Sequence, residues 1–156
     1  MSQSFDRDLL ILLHDVARAL RTRIDQKARV THAMTRAQWI ILSRLERQPG
    51  ISQNEMAAIC EVEPITVARL VDRLEARGLV ERRNDPSDRR IRRLHLLPAA
   101  KPILETIHNI RAAMNERVTA GLDEKTRKTL IDALLVIKEN LANEALTETP
   151  LAEAGE

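Results

Sequence analysis

Four arginines fall within five positions of the stretch NDPSDRRIRRL, residues 84–94. Each guanidinium group carries a fork of donors that suits phosphate oxygens and base edges, so this cluster could bind nucleic acid. The residues just before the arginines, NDPSD, favour a turn. A charge run is also found on ordinary solvated surfaces. The secondary-structure elements that carry these side chains are therefore needed to distinguish the two interpretations.

A second group of candidates lies upstream, in a pattern of short helix, tight turn and longer helix over residues 52–78. Ser52 and Glu55 have the spacing of a capping box and are predicted to begin the short helix. Pro64 is predicted to open the longer helix, at the position where proline is favoured. Gly78 is predicted to end it. This order is typical of a helix-turn-helix motif.

The second helix of such a motif lies in the major groove, with its N-terminal residues at the base edges. Arginine can hold guanine through two hydrogen bonds, and threonine offers a hydroxyl and a methyl group. Ser52 and Gln53 are placed for phosphate contacts at a helix N-terminus. The predicted DNA-contacting residues of the second helix are Pro64, Thr66, Val67, Arg69 and Arg73, and its predicted inner face is Ile65, Ala68, Val71 and Leu74. An amphipathic helix whose arginines pair with Asp72 and Glu75 explains the same pattern without DNA.

Two short predicted strands follow, residues 79–83 and 92–97, with the turn between them. A hairpin directly after a helix-turn-helix forms a winged helix. The tip arginines, Arg89 and Arg90, could then reach an adjacent minor groove, where narrow A-tracts concentrate negative potential. Helix, turn, helix and basic wing in this order favour DNA binding over a solvated charge run.

Long apolar stripes at helical spacing predict further helices on both sides of this lobe. Thr35 and Gln38 form a second predicted capping box, and Asp123 is predicted to cap the last helix. We therefore predict a mainly α fold with a small β-hairpin wing, in a single domain over residues 1–147. Its predicted parts are dimerisation helices at 5–33 and 98–146, a winged helix-turn-helix lobe at 35–97, with the helix-turn-helix at 52–78 and the wing at 79–97, and a flexible tail at 148–156.

The stripes of the terminal helices are too long for a small winged helix alone to bury. We expect them to form a homodimer interface, with a monomeric bundle as the alternative. The residues predicted at this interface are Leu9, Leu13, Ile107, Ile110, Leu130, Leu134, Ile137 and Leu141.

The composition sets the class of protein. In 156 residues, 44% are hydrophobic and 31% charged, which indicates a globular chain, while Phe5 and Trp39 are the only aromatic residues, so its core must be aliphatic. A single cysteine excludes an internal disulfide and favours a reducing compartment. No stretch approaches the ~18 apolar residues of a membrane span, and the N-terminus lacks the basic region of a signal peptide. We expect a cytoplasmic protein.

Enzymatic and metal-binding patterns are missing from the sequence. It contains no glycine-rich phosphate loop, no H-E-x-x-H and no G-x-S-x-G motif, so we expect no enzyme and no cofactor. The histidines at 14, 32, 95 and 108 are dispersed, which argues against a zinc site. Cys60 is predicted to be a small buried core residue.

Four segments together resemble the MarR family of bacterial transcription regulators, and within it the SlyA-like group. They are TRAQW (35–39), SQNEMA (52–57), EPITVARLVDRLEARGLVERR (63–83) and DPSDRR (85–90). The resemblance implies a homodimeric winged helix that binds a pseudo-palindromic operator. By position, Arg69 resembles the family's base-reading arginine, Arg90 its minor-groove arginine, and Asp88 the aspartate that braces the wing tip. Pro98 departs from the polar helix cap of many members.

The resemblance also implies an effector, often a small aromatic or phenolic acid or an acyl-CoA thioester. His14, Arg18 and Arg21 share one helix face and could hold a carboxylate beside Trp39, although a solvated face explains them more simply. We therefore expect a ligand-responsive dimeric repressor. A nonspecific architectural DNA-binding protein without an effector, and a winged helix that binds another protein, are the alternatives.

Overall fold

The computed structural model describes residues 7–147, with side chains described for residues 7–144. The predicted tail at 148–156 lies outside them. A mainly α chain with one antiparallel hairpin is confirmed. Its elements are α1 (Leu9–His32), α2 (Arg36–Arg47), α3 (Gln53–Cys60), α4 (Pro64–Ala76), β1 (Val80–Asn84), β2 (Arg92–Leu96), α5 (Lys101–Val118) and α6 (Glu124–Thr147). The chain divides within α5 into two compact units, one up to Arg111 and one from Ala112.

Side-chain caps set where α1, α2 and α3 begin. α1 begins at Leu9, not at residue 5 as predicted, because Asp8 Oδ1 accepts hydrogen bonds from the Leu10 and Ile11 amides at 2.9 and 3.1 Å. Both predicted capping boxes are confirmed, at Thr35 and at Ser52. No helix in the described range is long and apolar enough to cross a membrane.

The core of the first unit is aliphatic and is built around α2, α3, α4 and the hairpin. Its fully buried side chains include Met34, Ile41, Leu42, Leu45, Met56, Val71, Leu74 and Leu94. Leu104 and Ile107, on one face of α5, also belong to this core. Ile107 was predicted at a dimer interface, and that prediction is wrong, because the side chain is already buried within its own unit.

The buried stripe of α4 differs in phase from the predicted one. Val67, Leu70, Val71 and Leu74 face the core. This is the i, i+3, i+4, i+7 pattern of one helix face. Ile65 lies on the opposite face with 60% of its surface exposed, so its predicted inner position is wrong. α4 is followed by Gly78 in the left-handed region at φ +67, as its predicted role in ending the helix requires.

The hairpin is joined to the segment that precedes α3. β1 and β2 pair antiparallel, from Val80 opposite Leu96 to Asn84 opposite Arg92. The Gly50 amide donates to the Leu94 carbonyl at 2.9 Å, and the Leu94 amide donates to the Ile51 carbonyl at 3.0 Å. These two hydrogen bonds fix the wing to residues 50–52, the end of the linker that leads into α3.

The second unit consists of the end of α5 and α6. Gly121, at φ +86, lies in the turn between them. The predicted cap is confirmed: Asp123 Oδ1 accepts a hydrogen bond from the Thr126 amide at 2.7 Å, and this bonding to Thr126 holds the pKa of Asp123 below its usual value. At the other end of α5, Pro98 opens a short 3-10 turn, Pro98–Ala100, and the regular helix begins at Lys101.

Candidate nucleic-acid interface

The exposed face of α4 carries two arginines with free guanidinium groups. Thr66, Arg69 and Arg73 are exposed at i, i+3 and i+7, which places them on one face of the helix. Within the described residues, the side chains of Arg69 and Arg73 make no hydrogen bond or ion pair. Val67 is fully buried, so the prediction that it points outward is wrong. Pro64 is exposed at the first helical position.

The acidic residues of α4 are paired with Arg82 of β1. Arg82 bonds to Asp72 at 2.8 Å and also to Glu75, whose second oxygen accepts the Arg82 amide at 2.8 Å. The sequence left open that Asp72 and Glu75 pair with the arginines of their own helix. Their pairing with Arg82 means that the positive charge of Arg69 and Arg73 stays uncompensated on the exposed face.

Arg82 also ties α4 to α3. Its Nε donates to Gln53 Oε1 at 3.0 Å, and its Nη2 donates to the Ala68 carbonyl at 3.0 Å. The side chain is only 20% exposed. This single guanidinium therefore fixes β1, the start of α3 and the middle of α4 with respect to one another. The role of Arg82 was missed, because nothing in the local pattern relates it to Gln53, 29 positions earlier.

Ser52 and Gln53, predicted to contact phosphate, lie at the start of α3. The Ser52 hydroxyl accepts the Glu55 amide at 3.2 Å, and the Glu55 carboxylate accepts the Ser52 amide at 2.8 Å. The bonds from Ser52 hold the pKa of Glu55 below its usual value. A groove lies between the start of α3 and the wing. The groove is lined by Ser52, Gln53, Asn54, Arg90, Ile91 and Arg92.

Two aspartates shape the wing tip. Asp85 is 5% exposed, and its Oδ1 accepts the Ser87 hydroxyl at 2.6 Å and the amides of Ser87 and Asp88 at 2.8 and 3.0 Å. These bonds from Ser87, together with an ion pair to Arg93, hold the pKa of Asp85 far below its usual value. Asp88, the residue predicted to brace the tip, accepts the Arg90 amide at 2.9 Å. Asp85 is thus the main anchor, and its signal in the sequence is an Asp followed two positions later by Ser.

The four arginines within residues 89–93 do not share one role. Arg93 pairs with Asp85 and donates to the Gly50 carbonyl at 2.9 Å, so it holds the hairpin to the linker. Arg92 bonds to Asn84 across the strand pair. Arg89 and Arg90 are exposed, and their guanidinium groups have no partner among the described residues. The tip pair is therefore the part of the cluster available to a ligand.

The predicted effector residues do not form an open site in this conformation. His14, Arg18 and Arg21 are exposed on α1, and Arg18 pairs with Asp15 at 3.2 Å. Trp39 is only 4% exposed and belongs to the core. Its indole Nε1 is buried without a hydrogen-bond partner in the described part of the chain, as is His32 Nε2.

Two other kinds of site, a reactive cysteine and a metal site, find no support among the described residues. Cys60 is buried, as predicted, and burial raises the pKa of its thiol, which disfavours the reactive thiolate. Among residues 7–144, no three His, Cys, Asp or Glu side chains are grouped so that they could hold a metal ion.

The predicted interface residues other than Ile107 differ in exposure. Leu9, Leu130, Leu134 and Leu141 are exposed, while Leu13, Ile110 and Ile137 are partly buried. Further exposed aliphatic residues on α1 and α6 were missed by the prediction, and they are Leu10, Leu12, Val16, Val30, Ile131, Leu135 and Val136. Each of these two helices therefore carries more apolar surface than its own unit covers.

Comparison with known proteins gives the family. Residues 33–91 match the model of the MarR family. A curated protein of Thauera aromatica, described as a transcriptional regulatory protein for the hcr operon, is 30% identical over 104 residues. The aligned region spans 67% of this chain and 63% of that relative.

Solved structures of regulators share the fold. The transcriptional regulator SlyA is 28% identical, with 88% of this chain and 96% of that chain covered and a TM-score of 0.75. A MarR family regulator from Listeria monocytogenes, crystallised with a 26mer DNA, is 26% identical, with 90% and 93% covered and a TM-score of 0.77. The fold and the family are those of regulators rather than of enzymes. The chain belongs to the MarR family of transcriptional regulators, as its resemblance to the SlyA-like group implied.

Proposed function

We propose that this chain binds double-stranded operator DNA as a homodimer, with α4 in the major groove and the wing tip in the minor groove. One observation carries the proposal. Asp72 and Glu75 are paired with Arg82, so Arg69 and Arg73 present uncompensated charge on the exposed face of α4. If they paired with these acids instead, α4 would be an ordinary surface helix.

The residues divide between base reading and positioning. Arg69 is proposed to hold a guanine through two hydrogen bonds, with Thr66 beside it, while Arg73 contacts phosphate. The start of α3 is proposed to meet the DNA backbone through the Ser52 hydroxyl hydrogen and the side-chain NH2 group of Gln53, because the Ser52 backbone amide is bonded to Glu55. These contacts fix the register of the protein on the duplex, whereas the base contact provides the specificity.

The wing is proposed to extend the contact to a minor groove. Arg89 and Arg90 are exposed at its tip, and Asp88 holds the Arg90 backbone. Because Asp85 and Arg93 fix the hairpin to the linker before α3, the tip keeps a set position relative to α3. This fixed position would allow α4 to contact the major groove and the wing tip to contact the minor groove at the same time.

A homodimer is supported by the exposed aliphatic residues of α1 and α6. Exposed apolar surface of this extent on a protein is typical of an interaction site. In a two-fold dimer the recognition helices must meet half-sites one helical turn apart, ~34–36 Å, so the operator is proposed to be a pseudo-palindrome. Sedimentation at micromolar protein tests this step, because a monomer there contradicts the dimer.

The dimer is proposed to repress transcription, and a small effector is proposed to relieve this repression. The protein is proposed to act in the cytoplasm, where bacterial operators are found. An aromatic or phenolic acid or an acyl-CoA type compound that favours a different spacing of the two recognition helices lowers DNA affinity. The buried, unpartnered Nε1 of Trp39 and Nε2 of His32 support a polar ligand between α1 and α2. A thermal-shift screen with these compound classes tests it, and the absence of any stabilising compound favours a regulator without an effector.

Selection from a randomised duplex library tests the DNA-binding proposal. We expect an enriched inverted repeat, bound far more tightly than a scrambled duplex of the same length. An architectural DNA-binding protein would bind all duplexes alike through phosphate contacts alone. A protein-interaction module would bind no duplex, and Arg69 and Arg90 would then be dispensable.

A further inference from the structure

Ile65 is the one large aliphatic side chain of α4 that faces away from the core. It is 60% exposed, whereas the other bulky apolar residues of the helix are buried. It lies in the first turn of α4, directly before Thr66 and four positions before Arg69. At that spacing Ile65 and Arg69 are neighbours on one face. An exposed isoleucine contributes little to the stability of the fold. Its position on the face of α4 that is proposed to contact DNA therefore points to a role in binding a ligand.

We propose that Ile65 contacts the C5-methyl group of a thymine in each half-site and thereby selects for a T·A pair. Thymine is the only unmodified DNA base that presents a methyl group in the major groove. An exposed aliphatic side chain has no hydrogen bond to offer the other bases, and its hydration is relieved only by an apolar partner. This inference rests on the proposed DNA binding by α4.

The helix geometry places this thymine relative to the base that Arg69 reads. Four residues advance about 6 Å along a helix axis. Successive base pairs are roughly 3.4 Å apart along the duplex. The thymine therefore lies within about two base pairs of the Arg69 position. A site selected from a random library must contain a T at that distance in both halves.

Replacing single thymines of the selected site by deoxyuridine isolates the methyl group, because nothing else in the base pair changes. Fluorescence anisotropy then gives the affinity of the wild type and of Ile65→Ala for each duplex. Burial of one methyl-sized group corresponds to about fourfold in affinity. We expect one thymine per half-site to show a loss of this size with the wild type and none with Ile65→Ala. Urea unfolding checks that Ile65→Ala is as stable as the wild type, as expected for an exposed residue.

Thr66→Ser is the matched control, since it removes a methyl group from the neighbouring side chain and keeps the hydroxyl. Sensitivity to deoxyuridine that survives in Ile65→Ala but disappears in Thr66→Ser assigns the contact to Thr66 and overturns the proposal. Insensitivity of the wild type to every deoxyuridine overturns it as well, while selective binding that depends on Arg69 leaves the proposed function standing. If the wild type binds no duplex selectively, the thymine contact and the proposed operator binding are both wrong.

Discussion

Replacing Arg82 by alanine removes the polar contacts that join β1 to α3 and α4. Arg82 Nε donates to Gln53, and its guanidinium pairs with Asp72 and Glu75. Asp72 is 64% exposed, so its pairing contributes little, whereas Glu75 and Gln53 lose bonds in a partly buried setting. We expect Arg82→Ala to lower the free energy of unfolding by about 2–3 kcal/mol in total.

Arg83→Ala is the control for this prediction. Arg83 is the next residue, but its side chain is 57% exposed and, within the described part of the chain, pairs only with Glu81 on its own strand. Its replacement should cost less than about 0.5 kcal/mol. Urea unfolding followed by far-UV circular dichroism, at one fixed protein concentration, measures both. Equal losses in the two variants would refute the positioning role of Arg82, and Arg82→Lys should recover only part of the loss because it lacks the fork.

Three further predictions concern single side chains of the proposed interface. Arg69→Ala should cost about 1–3 kcal/mol in operator binding and relax specificity at one base pair per half-site, while Arg77→Ala, exposed at the far end of α4, should leave the preference for that base unchanged. Arg90→Ala should reduce the slope of log affinity against log salt by about one for each subunit, and an unchanged slope would place Arg90 off the DNA. The lowered pKa of Asp85 means that its carboxylate stabilises the folded state above the unfolded-state pKa and that this contribution is lost as pH falls through the folded-state pKa. The difference in unfolding free energy between the wild type and Asp85→Asn should therefore be constant near neutral pH and shrink below about pH 4, and a difference independent of pH would show that the charge is not involved.

Features set by neighbours in the sequence could be predicted. The capping boxes at Thr35 and Ser52 each need two side chains three positions apart, so the sequence shows both partners at once. Gly78 and Asp123 mark a helix end and a helix start by the same local logic. The winged helix followed from the order of these signals.

Features that depend on distant residues could not be predicted. The phase of α4 was misassigned because its apolar residues are numerous enough to suit two neighbouring stripes, and contact with the core selected the one through Val67, which left Ile65 outside. Arg93 reaches the Gly50 carbonyl, 43 positions away, so its neighbours in the sequence give no sign of this contact. Because Asp72 and Glu75 pair with Arg82, they do not neutralise the charge of Arg69. This pairing could not be predicted, since only the folded chain brings those groups together.

Arg69 of α4 is proposed to read a DNA sequence. The most direct test of this claim is the ratio of affinities for the selected duplex and a scrambled duplex, measured at one salt concentration for the wild type and for Arg69→Ala. We predict a ratio of at least about 10³ for the wild type and a clearly smaller one for Arg69→Ala. Equal affinity of the wild type for both duplexes, or a ratio that Arg69→Ala leaves unchanged, would contradict the claim.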